Sequence, residues 1–215
     1  MTLYQELRAA GKAMHGKALE ATQRLDLNPL RMARRMTLPV VGRTLVFDSE
    51  VAQNGFFDFW FHEYRVNGKP LAESVDPVAA GLTPLETEVL EAHRQTRTSL
   101  FQTEAVLRRE HQVLLRDLLE PHRQEVPLTD IGLSSSLVRM SAPLALFCRP
   151  VTVRGITMTS GFSFGFRPCR VPGLLQAYRQ KMKRVPPESL PEPRFIFFFQ
   201  KQRQFGEDQE YQDVV

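Results

Sequence analysis

The feature that most constrains the fold is a series of short apolar segments, separated by turn signals, between residues 99 and 166. The stretch from Ser99 to Leu128 is typical of two or three strands with turns at "RREH" and "EPHR". "PLALFCRPVTV" and "ITMTSGFSFGF" continue the pattern, and the polar segment "DIGLSSSL", which separates them from the earlier strands, is expected to be a loop. Because strands at roughly ten-residue spacing form barrels and strongly bent sheets, we predict a small five-stranded barrel-like module over residues 99–166.

The N-terminal region, residues 1–98, carries the signals of amphipathic helices. Thr2 and Gln5 form a capping box, in which each side chain satisfies a backbone N–H at the start of a helix. Behind them, apolar residues recur at spacings of three and four, as on one face of a helix. A second capping box, Thr83 and Glu86 with a proline between them, begins a later helix. The apolar stripe of that later helix consists of Leu85, Val89 and His93.

The stretch "FFDFWFHEYRV", residues 56–66, holds the only tryptophan of the chain. Helical spacing places five aromatic residues on one face: Phe56, Phe57, Trp60, Phe61 and Tyr64. The other side then carries the polar residues, with Phe59 as the exception: Asp58, His62 and Glu63. Gly55 precedes the stretch and is expected to open the helix. A core face, a groove for a partner and a stacking platform for bases are the alternatives, and we predict a core face.

The C-terminal region, residues 167–215, combines a basic helix, an apolar segment and an acidic tail. "PGLLQAYRQKMKRV" predicts the helix, and the proline-rich "PPESLPEPR" ends it. "FIFFFQ" follows and is rich in residues that favour strands. We therefore predict an α+β fold with a helical N-terminal part, a small five-stranded barrel-like antiparallel module, and a C-terminal basic helix and apolar strand.

Several short motifs occur in a characteristic order between residues 55 and 165. They are Trp60, Tyr64-Arg65, Gly68-Lys69, Thr83-Pro84-Leu85-Glu86 and Leu115-Arg116-Asp117-Leu118-Leu119. Together they resemble an uncharacterised bacterial domain family that is often found beside a cysteine-rich SEC-C zinc motif. His62 and Glu63 depart from the family pattern, in which hydrophobic or aspartate residues are common. The zinc motif itself is absent, since the chain contains no C-x-C or C-x-x-C pair. The resemblance implies an architecture and no established activity.

Cysteine content and the N-terminus bear on the cellular compartment. The 215-residue chain has two cysteines, Cys148 and Cys169, which are too few and too far apart for a zinc ribbon. The N-terminus carries charges throughout and lacks the continuous apolar segment of an export signal. No run approaches the roughly 18 apolar residues of a membrane span. We expect a cytoplasmic protein with reduced thiols and no membrane contact.

Common enzyme signatures are missing from the sequence. It has no P-loop, G-x-G-x-x-G, H-E-x-x-H or G-x-S-x-G motif. His111, Asp117 and His122 flank a predicted hairpin and would bind a metal only if the fold brought them together. We predict surface histidines and a structural aspartate instead, and a buried structural cysteine at Cys148. The expectation is a non-enzymatic protein with no catalytic residues, no bound metal and no cofactor.

Clusters of basic residues are the leading candidates for a binding site. Residues 167–184 contain six basic residues and no acid. The candidate nucleic-acid-binding residues are Arg31, Arg34, Arg35, Arg170, Tyr178, Arg179, Lys181, Lys183 and Arg184. Basic side chains attract phosphates, and exposed aromatic side chains stack on bases. Phe162, Phe164 and Phe166 alternate strictly, so they either fill the barrel or form an outward stacking surface. We predict binding to nucleic acid, or to a nucleic-acid complex, through the small barrel and the basic helix.

The alternative is a protein-interaction module, acting as an adaptor or as a homo-oligomeric scaffold. The segment "PEPRFIFFFQ" would complete the sheet, enter the core, or present an edge to a protein partner. The dependence of binding on salt concentration distinguishes the two functions. Phosphate contacts weaken steeply as the salt concentration rises, whereas an apolar interface does not.

Overall fold

The computed structural model describes residues 2–22, 28–66, 68–139 and 143–207, and the predicted acidic tail beyond them lies outside the described residues. The helices are α1 (Leu3–Ala21), α2 (Pro29–Arg35), α3 (Glu50–His62), α4 (Leu71–Ser74), α5 (Pro84–Arg94), α6 (Ile131–Arg139), α7 (Val171–Met182) and α8 (Pro191–Phe205). The strands are β1 (Val40–Val41), β2 (Thr44–Leu45), β3 (Arg65–Val66), β4 (Lys69–Pro70), β5 (Ser99–Leu107), β6 (Gln112–Asp117), β7 (Val126–Thr129), β8 (Ala145–Val153) and β9 (Ile156–Phe166). Single 3-10 turns at Pro168–Arg170 and Pro187–Ser189 precede α7 and α8.

Strands β5 to β9 form a closed five-stranded barrel in the order β5-β6-β7-β9-β8. This confirms the α+β class and the predicted barrel over residues 99–166. Four of the pairings are antiparallel, whereas β7 pairs with β9 in parallel through Leu128 and Thr157. The barrel is therefore mixed rather than purely antiparallel. The reason is that the chain runs through α6 and β8 before β9 closes against β7.

The segment "DIGLSSSL" forms helix α6, so the predicted loop at this position is wrong. The helix begins after Asp130, whose carboxylate accepts a hydrogen bond of 2.8 Å from the backbone N–H of Leu133. Within the helix, the hydroxyls of Ser134 and Ser135 donate to the carbonyl oxygen of Ile131. Polar residues that usually indicate a loop are satisfied here by the helix itself.

The two faces of the barrel sheet bury different apolar clusters. The interior holds Phe101, Val113, Leu115, Leu128, Leu146 and Cys148. Phe162, Phe164 and Phe166 alternate along β9 with Ser163 and Gly165, which pair with the interior residues Cys148 and Leu146. The three phenylalanines therefore point away from the interior, yet each is at most 1% exposed. They neither fill the barrel nor form a stacking surface, because helices pack over them.

Helix α8 provides much of that cover, and it corrects the predicted C-terminal strand. The run "FIFFFQ" lies inside α8, which begins at Pro191 and has Pro193 in its first turn, where a helix needs no N–H donor. Four phenylalanines of the helix are buried: Phe195, Phe197, Phe198 and Phe199. The run of phenylalanines is buried on several sides of the helix, so it contains no polar residues at helical spacing. Its sequence therefore lacks a helical period and looks like a strand.

The predicted basic helix is α7, which packs on α8. Its buried side chains are Leu174, Tyr178 and Met182. The ring of Tyr178 lies 5.7 Å from that of Phe197 and 5.2 Å from that of Phe198, measured between centroids. One face of α7 is thus committed to the core, and the remaining faces are free to carry charge.

Helices α1 and α5 cover another side of the barrel and contain both predicted capping boxes. Leu7, Met14 and Ala18 of α1 pack with Val89 and Leu90 of α5 in one buried cluster. The outer side chains of β8 and β9 complete this cluster: Val151, Val153 and Met158. The N-terminal helices and the barrel therefore share a core.

Helix α3 is the predicted aromatic helix, and it lies in the core as predicted, although the buried face differs. Phe56, Phe59 and Phe61 are at most 5% exposed, whereas Phe57 is 38% exposed. The polar residues expected on the far side are buried as well: Asp58, His62 and Glu63. Gly55 lies within the helix and does not open it, because Ser49 provides the N-terminal cap. None of the helices in the described part of the chain is long and apolar enough to cross a membrane.

Candidate functional site

The structure places the predicted nucleic-acid-binding residues in two positions relative to solvent. All eight basic residues of the set are exposed. Three of them lie on α2, and the others lie on α7 or next to its ends: Arg31, Arg34, Arg35, Arg170, Arg179, Lys181, Lys183 and Arg184. Tyr178 is 7% exposed, and its hydroxyl accepts a hydrogen bond from the buried Arg194. Tyr178 is therefore a core residue that cannot stack on a base, which corrects its predicted role.

Of the six basic residues between positions 167 and 184, Arg167 forms an ion pair with Glu207, and the other five have no acidic partner among the described residues. Arg170 and Lys181 instead lie over the rings of Phe205 and Phe197, each 5.7 Å from the ring centroid. Elsewhere on the surface many cations are paired, as in Arg154 with Glu88 at 2.7 Å. On α2, Arg35 forms an ion pair with Glu192 at the start of α8. Helices α2 and α7 therefore both adjoin α8, and the uncompensated positive charge lies along α7.

His111, Asp117 and His122 do not come together as a metal site in the described part of the chain. His111 and His122 are exposed, while Asp117 is 2% exposed. The Asp117 carboxylate accepts hydrogen bonds from the Ser99 hydroxyl and from Arg97, each at 2.6 Å. The prediction of surface histidines and a structural aspartate agrees with these positions.

A different cluster of polar residues, missed by the sequence analysis, is buried between the barrel and the N-terminal helices. Its centre is Arg149, which lies on β8 at a shift of register between the pairs Cys148–Ser163 and Pro150–Thr159. Such a bulge redirects a side chain out of the strand's regular alternation. Arg149 points to the last turn of α3 and is 2% exposed.

Two carboxylates of α3 and its C-cap bind the Arg149 guanidinium. Its Nη2 lies 2.6 Å from Glu63 Oε1, and its Nε lies 3.2 Å from Asp58 Oδ2. The hydroxyl of Ser160 donates to Asp58 Oδ1 at 2.6 Å, and Arg149 also donates to the carbonyl oxygen of Thr96. Two buried acids with one buried base leave this group with a net negative charge when all are ionised.

Three histidines adjoin these carboxylates, one from each of three helices. His15 lies on α1, His62 ends α3, and His93 lies near the end of α5. One ring nitrogen from each of them lies within 4.8 Å of the others, and His93 Nδ1 is 3.1 Å from His62 Nε2. His62 Nε2 is also 3.7 Å from Asp58 Oδ1. Among the described residues, this is the group with the spacing of metal ligands.

The protonation of the cluster follows from its burial. Burial lowers the pKa of His15 to about 4, although its hydrogen bond to the Gly11 carbonyl opposes this effect. Burial likewise lowers the pKa of His62 and of His93 well below the usual value, and nearby Arg149 adds to the effect. Burial raises the pKa of Asp58, with Arg149 opposing it. At neutral pH the three imidazoles are therefore uncharged, and each has one ring nitrogen that carries no proton.

Arg149 and Cys148 are adjacent in sequence, but their side chains lie in different surroundings, which shift their pKa values for different reasons. Burial alone would lower the pKa of Arg149, but Asp58 and Glu63 outweigh it, so the pKa is raised and the guanidinium stays charged. Burial in the barrel interior raises the pKa of the Cys148 thiol. Cys148 is thus a neutral thiol inside the barrel, in agreement with the predicted structural role.

A cleft of about 160 Å³ leads to the cluster from the surface. His62, Glu63, His93 and Arg149 line it, together with further arginines that include Arg97 and Arg194. Arg194 is held by its hydrogen bond to the carbonyl oxygen of Thr98 at 2.8 Å. The cleft therefore combines neutral imidazoles with positive charge, a combination suited to small anionic or metal-bound groups.

Two signals in the sequence pointed to this cluster. His93 occupies the apolar stripe of its helix with Leu85 and Val89, where a buried polar residue needs a partner. His62 and Glu63 are the positions that depart from the pattern of the family the chain resembles. His15 and Arg149 lie far from these residues in sequence, and no local motif connects them.

Comparisons with known proteins agree with the family-level prediction. No curated protein and no solved structure matches the chain. The predicted membership of an uncharacterised family is confirmed, whereas the neighbouring SEC-C motif and the bacterial source stay predictions. The chain belongs to the family of unknown function DUF7986, whose family model matches residues 1–212.

Proposed function

We propose that the protein binds nucleic acid, or a complex that contains nucleic acid, along the exposed basic residues of α7 and α2. One observation carries this proposal. The five basic side chains between residues 170 and 184 are exposed, and none has an acidic partner among the described residues. A row of uncompensated cations attracts phosphates and releases the counterions that surround a nucleic acid.

The burial of the aromatic residues refines the expected mode of binding. Tyr178 and the three phenylalanines of β9 are buried, so stacking on bases plays no part in the proposal. The contacts would come from the cations of α7, with Arg31 and Arg34 of α2 as further candidates. Phosphate contacts carry no sequence information, so we expect little sequence preference. In this proposal the barrel supports the helical layer and is not itself the binding surface.

The test is fluorescence anisotropy of the purified protein against labelled single-stranded RNA, single-stranded DNA and duplex DNA at graded salt. If the five cations of residues 170–184 each contact a phosphate, the logarithm of the duplex-binding constant should fall with log salt at a slope of about −4 to −5. An absence of binding to every probe at low salt would overturn the proposal. Binding that does not change with salt would overturn it too.

A protein-interaction module is the second candidate, and exposed apolar side chains favour it. Val41 and Val46 are 69% and 39% exposed, and Phe57 on α3 is 38% exposed. Phe47 lies 6.2 Å from the Phe57 ring, measured between centroids, which joins the β1–β2 hairpin to this part of α3. Light scattering over a range of protein and salt concentrations tests the module. Self-association that persists at high salt and is lost in Phe57→Ser would support it.

A further inference from the structure

We propose that His15, His62 and His93 bind one transition-metal ion, for which Zn²⁺ is the best match. The site is distinct from the basic residues of α7 and does not depend on nucleic-acid binding. The observation that carries it is geometric: three helices each bring one imidazole nitrogen to within 4.8 Å of the other two. Imidazole suits Zn²⁺, Cu²⁺ and Ni²⁺, and three histidines with an open fourth position are a known zinc arrangement.

The rings of His62 and His93 already converge on one point. Their planes lie within 9° of parallel, with centroids 5.2 Å apart and the facing nitrogens 3.1 Å apart. These values describe two imidazoles joined edge to edge by an N–H···N hydrogen bond. Ligand nitrogens around a tetrahedral zinc ion are about 3.4 Å apart, given Zn–N bonds of about 2.0–2.1 Å. A metal ion would therefore bind between the two facing nitrogens after small rotations of the rings, and the proton of the donating ring would move to its other nitrogen, so that both imidazoles stay neutral.

His15 is oriented as a metal ligand by its own helix. Its Nδ1 donates a hydrogen bond to the carbonyl oxygen of Gly11 at 3.0 Å. This bond fixes the proton on Nδ1 and leaves the lone pair on Nε2. Histidines that bind metals typically donate their other ring N–H to a carbonyl or carboxylate in this way. The three ligand nitrogens lie at most 4.8 Å apart. The widest of these separations would have to shorten by only about 1.4 Å to reach the roughly 3.4 Å of a tetrahedral zinc site.

Two carboxylates close to the three histidines would favour a cation. When both are ionised, Asp58 and Glu63 carry one more charge than the Arg149 guanidinium that they bind, and this excess would offset part of the charge of a bound metal. Asp58 Oδ1 is 3.7 Å from His62 Nε2 and is held by Ser160 at 2.6 Å. Asp58 therefore lies beside the nitrogen that would bind the metal, where its carboxylate would compensate part of the metal's charge.

The cleft would provide both access and the open coordination position. His62 and His93 line it, whereas His15 lies behind them on α1. The fourth position of a metal held by these residues would face the cleft. It would hold water or the anionic group of a small ligand, with Arg97 and Arg194 nearby to pair with negative charge.

The test measures metal binding by the full-length protein after removal of any affinity tag. The protein is stripped with a chelator, loaded with Zn²⁺ or Co²⁺, and freed of excess metal by gel filtration. Bound zinc is measured by mass spectrometry, and bound cobalt by its visible absorption. We expect one zinc per chain and the intense d–d absorption of tetrahedral cobalt. Zinc should also raise the melting temperature, since it binds the folded state.

The chain offers a matched control in its two remaining histidines. His62→Gln and His93→Gln should each weaken zinc binding by about 100-fold or more, since even the loss of a group that only supports a ligand costs about 10–100-fold. His111→Gln and His122→Gln, at exposed positions, should retain full binding. Substoichiometric zinc in the folded wild-type protein would overturn the proposal even if a variant fails to fold. Unchanged binding in both His62→Gln and His93→Gln would overturn it as well.

Discussion

The ring of Phe164 on β9 fills the space that a side chain at Gly55 of α3 would need. A β-carbon on Gly55 would lie 2.5 Å from Cζ of Phe164 and 3.3 Å from Cδ2 of Phe199. Real β-carbons do not approach other atoms so closely. Helix α3 therefore rests directly on the barrel at this glycine, and the same contact brings the last turn of α3 to Arg149.

Gly55→Ala should destabilise the protein although alanine favours helices. The new methyl group must displace the Phe164 ring, and overpacking of a well-filled core costs about 1–3 kcal/mol. Gly16→Ala in α1 is the control, because its β-carbon would meet no atom within 4 Å apart from its chain neighbours and the backbone of its own helix. That variant should gain about 0.5–1 kcal/mol from helix propensity alone. Urea denaturation measures both changes, and a gain at Gly55 would contradict the described contact.

Removal of Arg149 should leave two buried carboxylates without their partner. Loss of one member of a buried ion pair costs about 3–5 kcal/mol, so Arg149→Met should lower the free energy of unfolding by about this amount. Arg154→Met removes an exposed arginine paired with Glu88 and should leave stability almost unchanged. Denaturation in the presence of a chelator measures the two variants without a contribution from metal. Equal effects of the two substitutions would contradict the account of the buried cluster.

Asp117 should make stability depend on pH in the acid range. Burial alone would raise its pKa, but hydrogen bonds from Ser99, the backbone of Glu120 and Arg97 outweigh burial, so the pKa is lowered. A carboxyl whose pKa is lowered by folding stabilises the protein above its unfolded value of about 3.9, and this stabilisation is lost as the pH falls through the folded value.

Asp117→Asn should therefore cost about 1.5–3 kcal/mol at neutral pH, the usual value for hydrogen bonds to a charged group. The difference between variant and wild type should shrink at about pH 3, because this lies below the unfolded pKa of about 3.9 and protonation of the unfolded carboxyl removes part of the stabilisation. Urea denaturation at the two pH values tests this. A difference that is equal or larger in acid would show that Asp117 does not act through its charge.

The architecture could be predicted because its signals are local. Alternating and turn-separated apolar segments indicated a five-stranded barrel, but they did not indicate the strand order or the parallel pairing of β7 with β9. The side on which Phe162, Phe164 and Phe166 are covered could not be predicted. It depends on where α3 and α8 dock, and α8 itself lacked a helical period in its run of phenylalanines.

The histidine and arginine cluster could not be predicted because its members are distant in sequence. His15, Asp58, His93 and Arg149 come from three helices and one strand, and a register shift in β8 directs Arg149 into the cluster. Only polar residues in apolar surroundings, such as His93 on its stripe, indicated that something buried needed a partner. Of the candidate nucleic-acid-binding residues in and around α7, the basic ones lie at exposed positions and Tyr178 is buried, while their binding role stays a prediction.

The most direct test of the central claim compares two triple charge reversals in the salt-graded anisotropy measurement. Lys181→Glu, Lys183→Glu and Arg184→Glu together alter the proposed phosphate contacts. Lys12→Glu, Arg108→Glu and Arg109→Glu make the same change in net charge at exposed positions on α1 and after β5. The first variant should bind more weakly and lose about 2.7 from the duplex salt slope, at about 0.9 per contact. The second should keep most of the wild-type slope. Equal losses in both variants, or no loss in the first, would contradict the claim that α7 is the nucleic-acid-binding surface.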